Sequence, residues 1–262
     1  MKLLFLGTGS AKCKKTPEDS IPEGARRCSS TLIDNTVQVD VPIHTYDFLE
    51  KRGISPASVT DIFLTHSHND HYWKETFLRY AKAGERKLNF YCNTGAIPYL
   101  ELTEEEAALV NIIPVEPMQT FDAAGMTVTA LPSNHLAGKG EQTLHYVFEK
   151  GGKKLFYGLD GAWLRSEEWG YLYRTAKPID GAIFDTTCGE MPGEFRIGTH
   201  TTIPMLRLLA DAFRENGVIA ESGKLIASHI GPHIHAVPAE ETERILDEFG
   251  VIMASDGFEI EI

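Results

Sequence analysis

The stretch from Ile62 to Trp73, IFLTHSHNDHYW, runs from an apolar segment straight into His66, His68, Asp70 and His71. Solvated faces seldom collect histidine, because lysine and glutamate serve water contact better. The density therefore asks for a metal, a proton relay or chance. His-x-His-x-Asp-His spacing after a strand favours the metal, since imidazole nitrogen and carboxylate oxygen are ligands that borderline cations take. Strand ends converge at one edge of a sheet, so further ligands can come from strands distant in sequence. Candidates close or follow other apolar runs: His135 in LPSNHLA, Asp160 in KLFYGLD, His200 in IGTHTT and His229 in IASHIG. Any one of them alone reads as a hydrogen-bonded core or loop residue. Together with the hexapeptide they read as a ligand set, in which Asp160 is the candidate for the small anion that keeps two cations about 3.5–4 Å apart.

At 262 residues, 42% of them hydrophobic and 24% charged, the chain can bury a substantial core and has no disorder signature. Strands are expected at KLLFL, STLID, VQVDV, DIFLT, KLNFYC, MTVTALP, LHYVFE, KLFYGLD, DGAIFD, KLIASH and FEIEI. Helices are expected at HTYDFLEKRG, HYWKETFLRYAKAG, TEEEAALVN, TTIPMLRLLADAFRENG and PAEETERILDEFG. In the fourth helix Leu206, Leu209 and Phe213 mark an apolar stripe, and Gly217 lies just beyond its natural end. No repeat, linker or long charge block divides the chain. One compact α/β domain over 1–262 is expected, two mixed sheets packed together with helices outside. Cys13, Cys28, Cys92 and Cys188 are scattered and form no CxxC pair, which predicts buried thiols rather than a disulfide framework. The opening apolar run stops at Gly7 and no later stretch approaches a membrane span, so no membrane partner and a cytoplasmic location are expected.

With HSHNDH, SNHLA, GLDG and ASHIG in that order, the chain resembles the metallo-β-lactamase superfamily from its first strand to its last. The resemblance implies an αββα sandwich with a dinuclear site at one edge of the sheets. It also implies that His66, His68 and His135 hold one metal, that Asp70, His71 and His229 hold the other, and that Asp160 bridges them. The opening LFLGTGSA, then RRCSSTLID, GTHTT and the final SDGFEIEI look most like the phosphodiesterase branch, which includes tRNA 3′-end endonucleases and ribosyl cyclic phosphate phosphodiesterases. Two features depart from that branch. The motif is usually followed by glycine where this chain has YWKE, and the early loop holds only Cys13 and Cys28 where the cyclic phosphate enzymes carry a cysteine cluster for a structural zinc. His233 follows the last ligand as a structural-zinc ligand does in the family, but without enough cysteines for that zinc it reads, beside Pro232, as a surface residue.

Two dications sharing a water lower its pKa and polarise a phosphoryl oxygen, so hydrolysis is the natural use. An alkoxide leaving group benefits from a proton donor, for which His200 is the candidate; Asp70 is counted on the catalytic side as well as among the ligands. His200 is expected where a helix begins, and the backbone N–H groups there would favour a bound phosphate. Asp185, closing DGAIFD, is a candidate to orient a ligand imidazole. Weaker candidates for substrate contact are Tyr72, Trp73, Arg27 and Ser29. Zinc is the expected metal, with manganese or iron as alternatives. The net charge of −12 and the absence of a basic insertion argue against a nucleic-acid partner and for a small phosphate ester, although a homo-oligomer could assemble a positive groove. The rivals are a tRNA 3′-processing endonuclease and a lactone or thioester hydrolase.

Overall fold

A computed structural model describes residues 1–11, 18, 21–22, 24–190, 195–235 and 237–262, and Cys13 lies outside them. The described chain forms two compact units, Met1–Pro117 with Ala137–Leu144 and Ser255–Glu261, and Met118–Leu136 with His145–Ala254 and Ile262.

The first unit holds strands β1 (Lys2–Gly7), β2 (Ser30–Ile33), β3 (Val37–Val39), β4 (Asp61–Phe63), β5 (Leu88–Asn93), β6 (Val110–Val115) and β14 (Glu259–Glu261). Its helices are α1 (Thr45–Lys51), α2 (Lys74–Ala83) and α3 (Glu104–Ala107). The sheet order is β14-β1-β2-β3-β4-β5-β6, antiparallel from β14 to β3 and parallel from β3 to β6. Parallel neighbours need crossovers, and α2 supplies the one between β4 and β5. Its buried Phe77, Tyr80 and Ala81 join Ile62, Leu64, Phe90 and Cys92 in one core cluster. Parallel strands also bring their carboxyl ends to the same sheet edge, so the motif after β4 emerges where such folds place ligands.

The second unit holds β7 (Thr120–Ala123), β8 (Met126–Pro132), β9 (Leu144–Lys150), β10 (Lys153–Gly158), β11 (Ile179–Asp185), β12 (Ile219–Ser228) and β13 (Ile252–Met253). Its helices are α4 (Ser166–Tyr171), α5 (Ile203–Glu215) and α6 (Ala239–Asp247). The sheet runs β13-β12-β11-β10-β9-β8-β7, with β10 through β13 parallel. Gly151 and Gly152, at φ 59° and 78°, turn β9 into β10, a two-residue hairpin that only residues tolerant of left-handed φ make cheaply. Helix α5 is the main cover of this unit's core. Thr202 caps it by accepting from the Met205 amide at 3.3 Å, its Leu206, Leu209, Ala210 and Phe213 face is buried, and Gly217 at φ 62° ends it.

Two mixed sheets with helices are the expected fold class. The expected α5 stripe and its glycine stop are found as read, whereas α2 starts at Lys74 rather than at His71 because Tyr72 and Trp73 stay extended. Val41 accepts from the Trp73 amide and donates to the His71 carbonyl, a bridge that holds that segment as strand.

Candidate metal centre

In the first unit the motif is built around one buried carboxylate. Asp40, completely buried at the end of β3 with φ 61°, accepts from the Thr65 amide at 2.8 Å and from its hydroxyl, and takes His71 Nδ1 at 2.7 Å. Burial pushes the Asp40 carboxyl above its ordinary range, against the pull of His71 and Thr65. Since the Thr65 hydroxyl is donated to Asp40, His66 Nδ1 at 3.1 Å donates to Thr65 Oγ1. His66 Nε2 then lies 2.9 Å from His68 Nδ1, and His71 Nε2 lies 3.5 Å from Asp70 Oδ2. Glu141 holds the turn itself, accepting from the Ser67 amide at 2.7 Å and from its hydroxyl at 2.5 Å.

In the second unit the carboxyl ends of β8, β10, β11 and β12 deliver His135, Asp160, Asp185 and His229. Asp160 Oδ2 lies 3.2 Å from His229 Nε2, and Asp160 Oδ1 lies 3.4 Å from His200 Nδ1 and 4.0 Å from His135 Nε2. Asp160, Asp185, His200 and His229 offer ligand atoms all within 4.8 Å of one another. Asp160 and His229 are held at φ 56° and 58°, a left-handed backbone costly for residues other than glycine and concentrated at functional sites. The next residue, Gly161, has no room for a side chain, because a Cβ there would lie 2.7 Å from His145 Cε1. Asp185 takes His200 Nδ1 at 2.7 Å and lies 3.7 Å from His229 Nδ1. Burial opposes ionisation of Asp185, but His200 and His229 outweigh it and hold the carboxyl below its ordinary range.

The donor set fits divalent metal. His66 and His71 donate from Nδ1 to Thr65 and Asp40, His135 to the Thr199 carbonyl at 3.3 Å, and His229 to Thr187 Oγ1 at 2.6 Å, whose own hydroxyl goes to the His229 carbonyl. Four imidazoles are thus fixed in the tautomer whose Nε2 carries the lone pair, the arrangement that supporting residues impose on metal-ligating histidines. Asp185 differs from Asp160 in this respect. It faces Nδ1 atoms, the supporting side of the rings, while Asp160 faces Nε2 of His135 and His229.

Other expected contacts are used differently. Arg27 is held by Glu18 at 2.5 and 2.7 Å and by Asp256 at 3.2 Å, and buried Ser29 donates to the Gly9 carbonyl, so both are engaged within their own unit. Tyr72 is buried, packs on Phe77 and Phe90 and donates to the Leu100 carbonyl, while Trp73 lines a surface groove. The α5 N-terminus is not the expected phosphate cradle. His200 precedes the Thr202 cap by two residues, the Ile203 amide goes to Gly189, Pro204 has none, and the Met205 amide goes to Thr202. His233 is exposed, and Cys28, Cys92 and Cys188 are buried, with burial pushing the Cys92 thiol up to about 12. The roles of Asp40, Thr65 and Thr187 escaped the sequence reading; the only signal was polar residues closing apolar strands, a pattern shared with ordinary strand ends.

A fold of this class with strand-end imidazoles and carboxylates defines a metallo-hydrolase type of protein. Residues 39–230 match the family described as β-lactamase superfamily domain, and the chain belongs to that family. Ribonuclease Z of Pyrococcus abyssi (strain GE5 / Orsay) is 39% identical over 269 aligned residues, covering 93% of this chain and 81% of that protein. Ribonuclease Z of Pyrococcus furiosus is 39% identical over 72 residues, and the match spans 28% of this chain and 22% of that protein's length. Among solved structures, a diphosphatase from the PhnP family superposes with TM-score 0.74 at 21% identity, covering 100% of this chain and 96% of that one. Human tRNase Z, short form, gives TM-score 0.69 at 17% identity, with 100% and 99% covered. Zn(2+)-bound PqqB from Methylobacterium extorquens gives 0.75 at 15%, with both chains fully covered. At these identities the solved structures establish the fold. The Ribonuclease Z relatives leave the sequence-based argument against nucleic acid unsupported.

Proposed function

We propose that this protein is a metal-dependent phosphodiesterase acting on a small or cyclic phosphate ester. The observation that carries the reading is the set of four histidines, His66, His71, His135 and His229, each with a polar partner at Nδ1, which makes Nε2 the candidate coordinating nitrogen. The likeness to Ribonuclease Z and to the PhnP-family diphosphatase supports a phosphate ester over a lactam or thioester. Following the superfamily pattern, residues 1–262 act as one catalytic domain. His66, His68 and His135 would hold one divalent ion and Asp70, His71 and His229 the other, with Asp160 as the carboxylate they would share. Zinc is the first candidate, with manganese or iron as alternatives. When bound, such ions acidify a water and polarise the phosphoryl oxygen.

The chain's own contribution falls to His200 and Asp185. Asp185 anchors His200 through Nδ1 at 2.7 Å, which makes Nε2 the nitrogen that passes a proton to the departing oxygen. Asp185 keeps its charge at neutral pH and steadies the imidazolium before transfer. Asp70 serves through the ligand set. The cytoplasm is the compartment we favour, supported by the buried cysteines, and among the described residues no helix is long and apolar enough to cross a membrane.

A second reading, tRNA 3′-end processing, is favoured by the identity to Ribonuclease Z along 93% of the chain. The net charge of −12 weighs against it, and Arg26 and Arg27 are turned to Thr8, Glu18 and Asp256. The test is a side-by-side assay of one metal-loaded preparation on a cyclic nucleotide, a nitrophenyl phosphodiester and a precursor tRNA. Turnover of the small esters with little tRNA cleavage is expected. Efficient, site-specific tRNA cleavage with sluggish small-ester turnover promotes the nuclease.

A further inference from the structure

Beside the motif, the first unit carries a groove of about 590 Å³ that runs from His68 past Trp73 and Tyr99 to Gly138. That volume is within the range of small-molecule sites. Besides the buried Tyr72, its lining carries Trp73 and Tyr99. The Trp73 amide is bonded to the Val41 carbonyl at 3.0 Å, immediately before α2 begins. Tyr99 donates to the Lys139 carbonyl at 3.2 Å, and its ring lies so close over Gly138 that a Cβ there would be 2.2 Å from Cε2. Yet Tyr99 remains 38% exposed. A large ring pinned at its hydroxyl and along its face, and still open to solvent, offers a preformed stacking surface at little further entropic cost.

The charges around this groove select what stacks there. Glu75 and Glu101 bring two carboxylates to its lining. Its Lys74 ammonium is already engaged by Glu106 at 2.7 Å and by the Glu101 carbonyl at 2.6 Å. A second phosphate is therefore disfavoured in the groove, and a neutral ring rich in N–H donors is favoured. The volume is larger than a compact ammonium head fills and suits a base with its ribose.

We propose that this groove is the subsite for a nucleobase carrying an exocyclic amine, with Trp73 and Tyr99 as specificity-determining residues; the assignment rests on the phosphodiesterase reading and makes its substrate a nucleotide ester. The YWKE sequence after His71, where the resembled family usually has glycine, is the local departure that creates one side of the groove.

Calorimetric titration of the full-length, metal-loaded protein with adenosine, uridine and choline tests this, because none of the three contains a phosphodiester to be cleaved. Adenosine should bind saturably and uridine at least about fivefold more weakly. Trp73→Leu and Tyr99→Leu should each weaken adenosine by about fivefold or more, the lower end for loss of one stacked base, while Trp73→Phe retains most of the binding. Gly138→Ala, which displaces the Tyr99 ring without removing it, should also weaken adenosine. In turnover of a cyclic purine nucleotide, Trp73→Leu should raise KM more than it lowers kcat. Adenosine binding that is absent, or indifferent to both leucine substitutions, overturns the subsite, as does preference for choline. Nitrophenyl diester turnover that persists beside absent adenosine binding removes the subsite alone. Adenosine binding with no turnover of any phosphodiester contradicts the phosphodiesterase reading, and with it the assignment of the groove to substrate.

Discussion

The proposed proton path rests on His200 and on Asp185 at its Nδ1. His200→Ala should lower kcat on an alkyl phosphodiester by about 10²–10⁴-fold, the usual range for general acid catalysis, and keep the metals bound. With a nitrophenolate leaving group, which needs no proton, the loss should shrink. Equal losses on both esters would assign His200 to positioning instead. Asp185→Asn preserves an acceptor for Nδ1 but removes the charge, so its loss should fall between wild type and His200→Ala. A second buried pair is separate from this proton path: His145 Nδ1 meets Glu168 Oε1 at 2.5 Å, both within the second unit. Burial pulls the His145 pKa down, but the Glu168 charge and hydrogen bond outweigh it, leaving the imidazole above its ordinary range. A histidine raised in the folded state contributes stability that is full below the unfolded pKa and is lost as pH rises through the folded one. Glu168→Gln should therefore destabilise by about 3 kcal/mol at pH 6, as expected for breaking a buried ion pair, and by clearly less at pH 9. Denaturant unfolding of both proteins at the two pH values checks this, and an equal cost at both would show that the pair is not ionised.

At the scale of elements, legibility followed burial. The strands that run apolar for several residues, such as β1 and β10, were readable, and so was α5 with its stripe and glycine stop. Strand β6 carries Pro114 and is exposed or half-buried through its middle at the edge of its sheet, β7 and β13 are short or half-exposed, and α4 contains Gly170, so none has a strong periodic signal. The candidate strand-end ligands stood out in the sequence because HSHNDH has little other use in a protein. Asp40, Thr65 and Thr187 were not, since a buried aspartate or threonine that turns an imidazole is indistinguishable in sequence from one that closes a strand. The expected phosphate cradle at α5 failed for a related reason: placing a helix start within two residues decides which amides are available, and sequence does not fix that boundary. The energetic weight of α5 can be measured directly. Phe213→Ala should cost about 3–5 kcal/mol and Thr202→Ala about 1 kcal/mol in denaturant unfolding, from a buried aromatic cavity and a lost cap respectively. A near-neutral Phe213→Ala would mean that the Trp169, Phe156 and Phe184 rings packed on it collapse to fill the space.

For the whole molecule, the proposed chemistry requires metal, and the proposed ligand set calls for two ions. The choice between a small ester and RNA rests with the side-by-side assay, since the net charge of −12 opposes RNA along its length while the Ribonuclease Z relatives favour it. The most direct measurement is the metal content of the purified chain taken together with its turnover of a nitrophenyl phosphodiester, before chelation, after it, and after adding back zinc, manganese or iron. The prediction is about two equivalents of transition metal per chain, loss of turnover as they are removed, recovery on return, and a content that falls in His68→Ala. Undiminished turnover by the chelated, metal-free protein would contradict it.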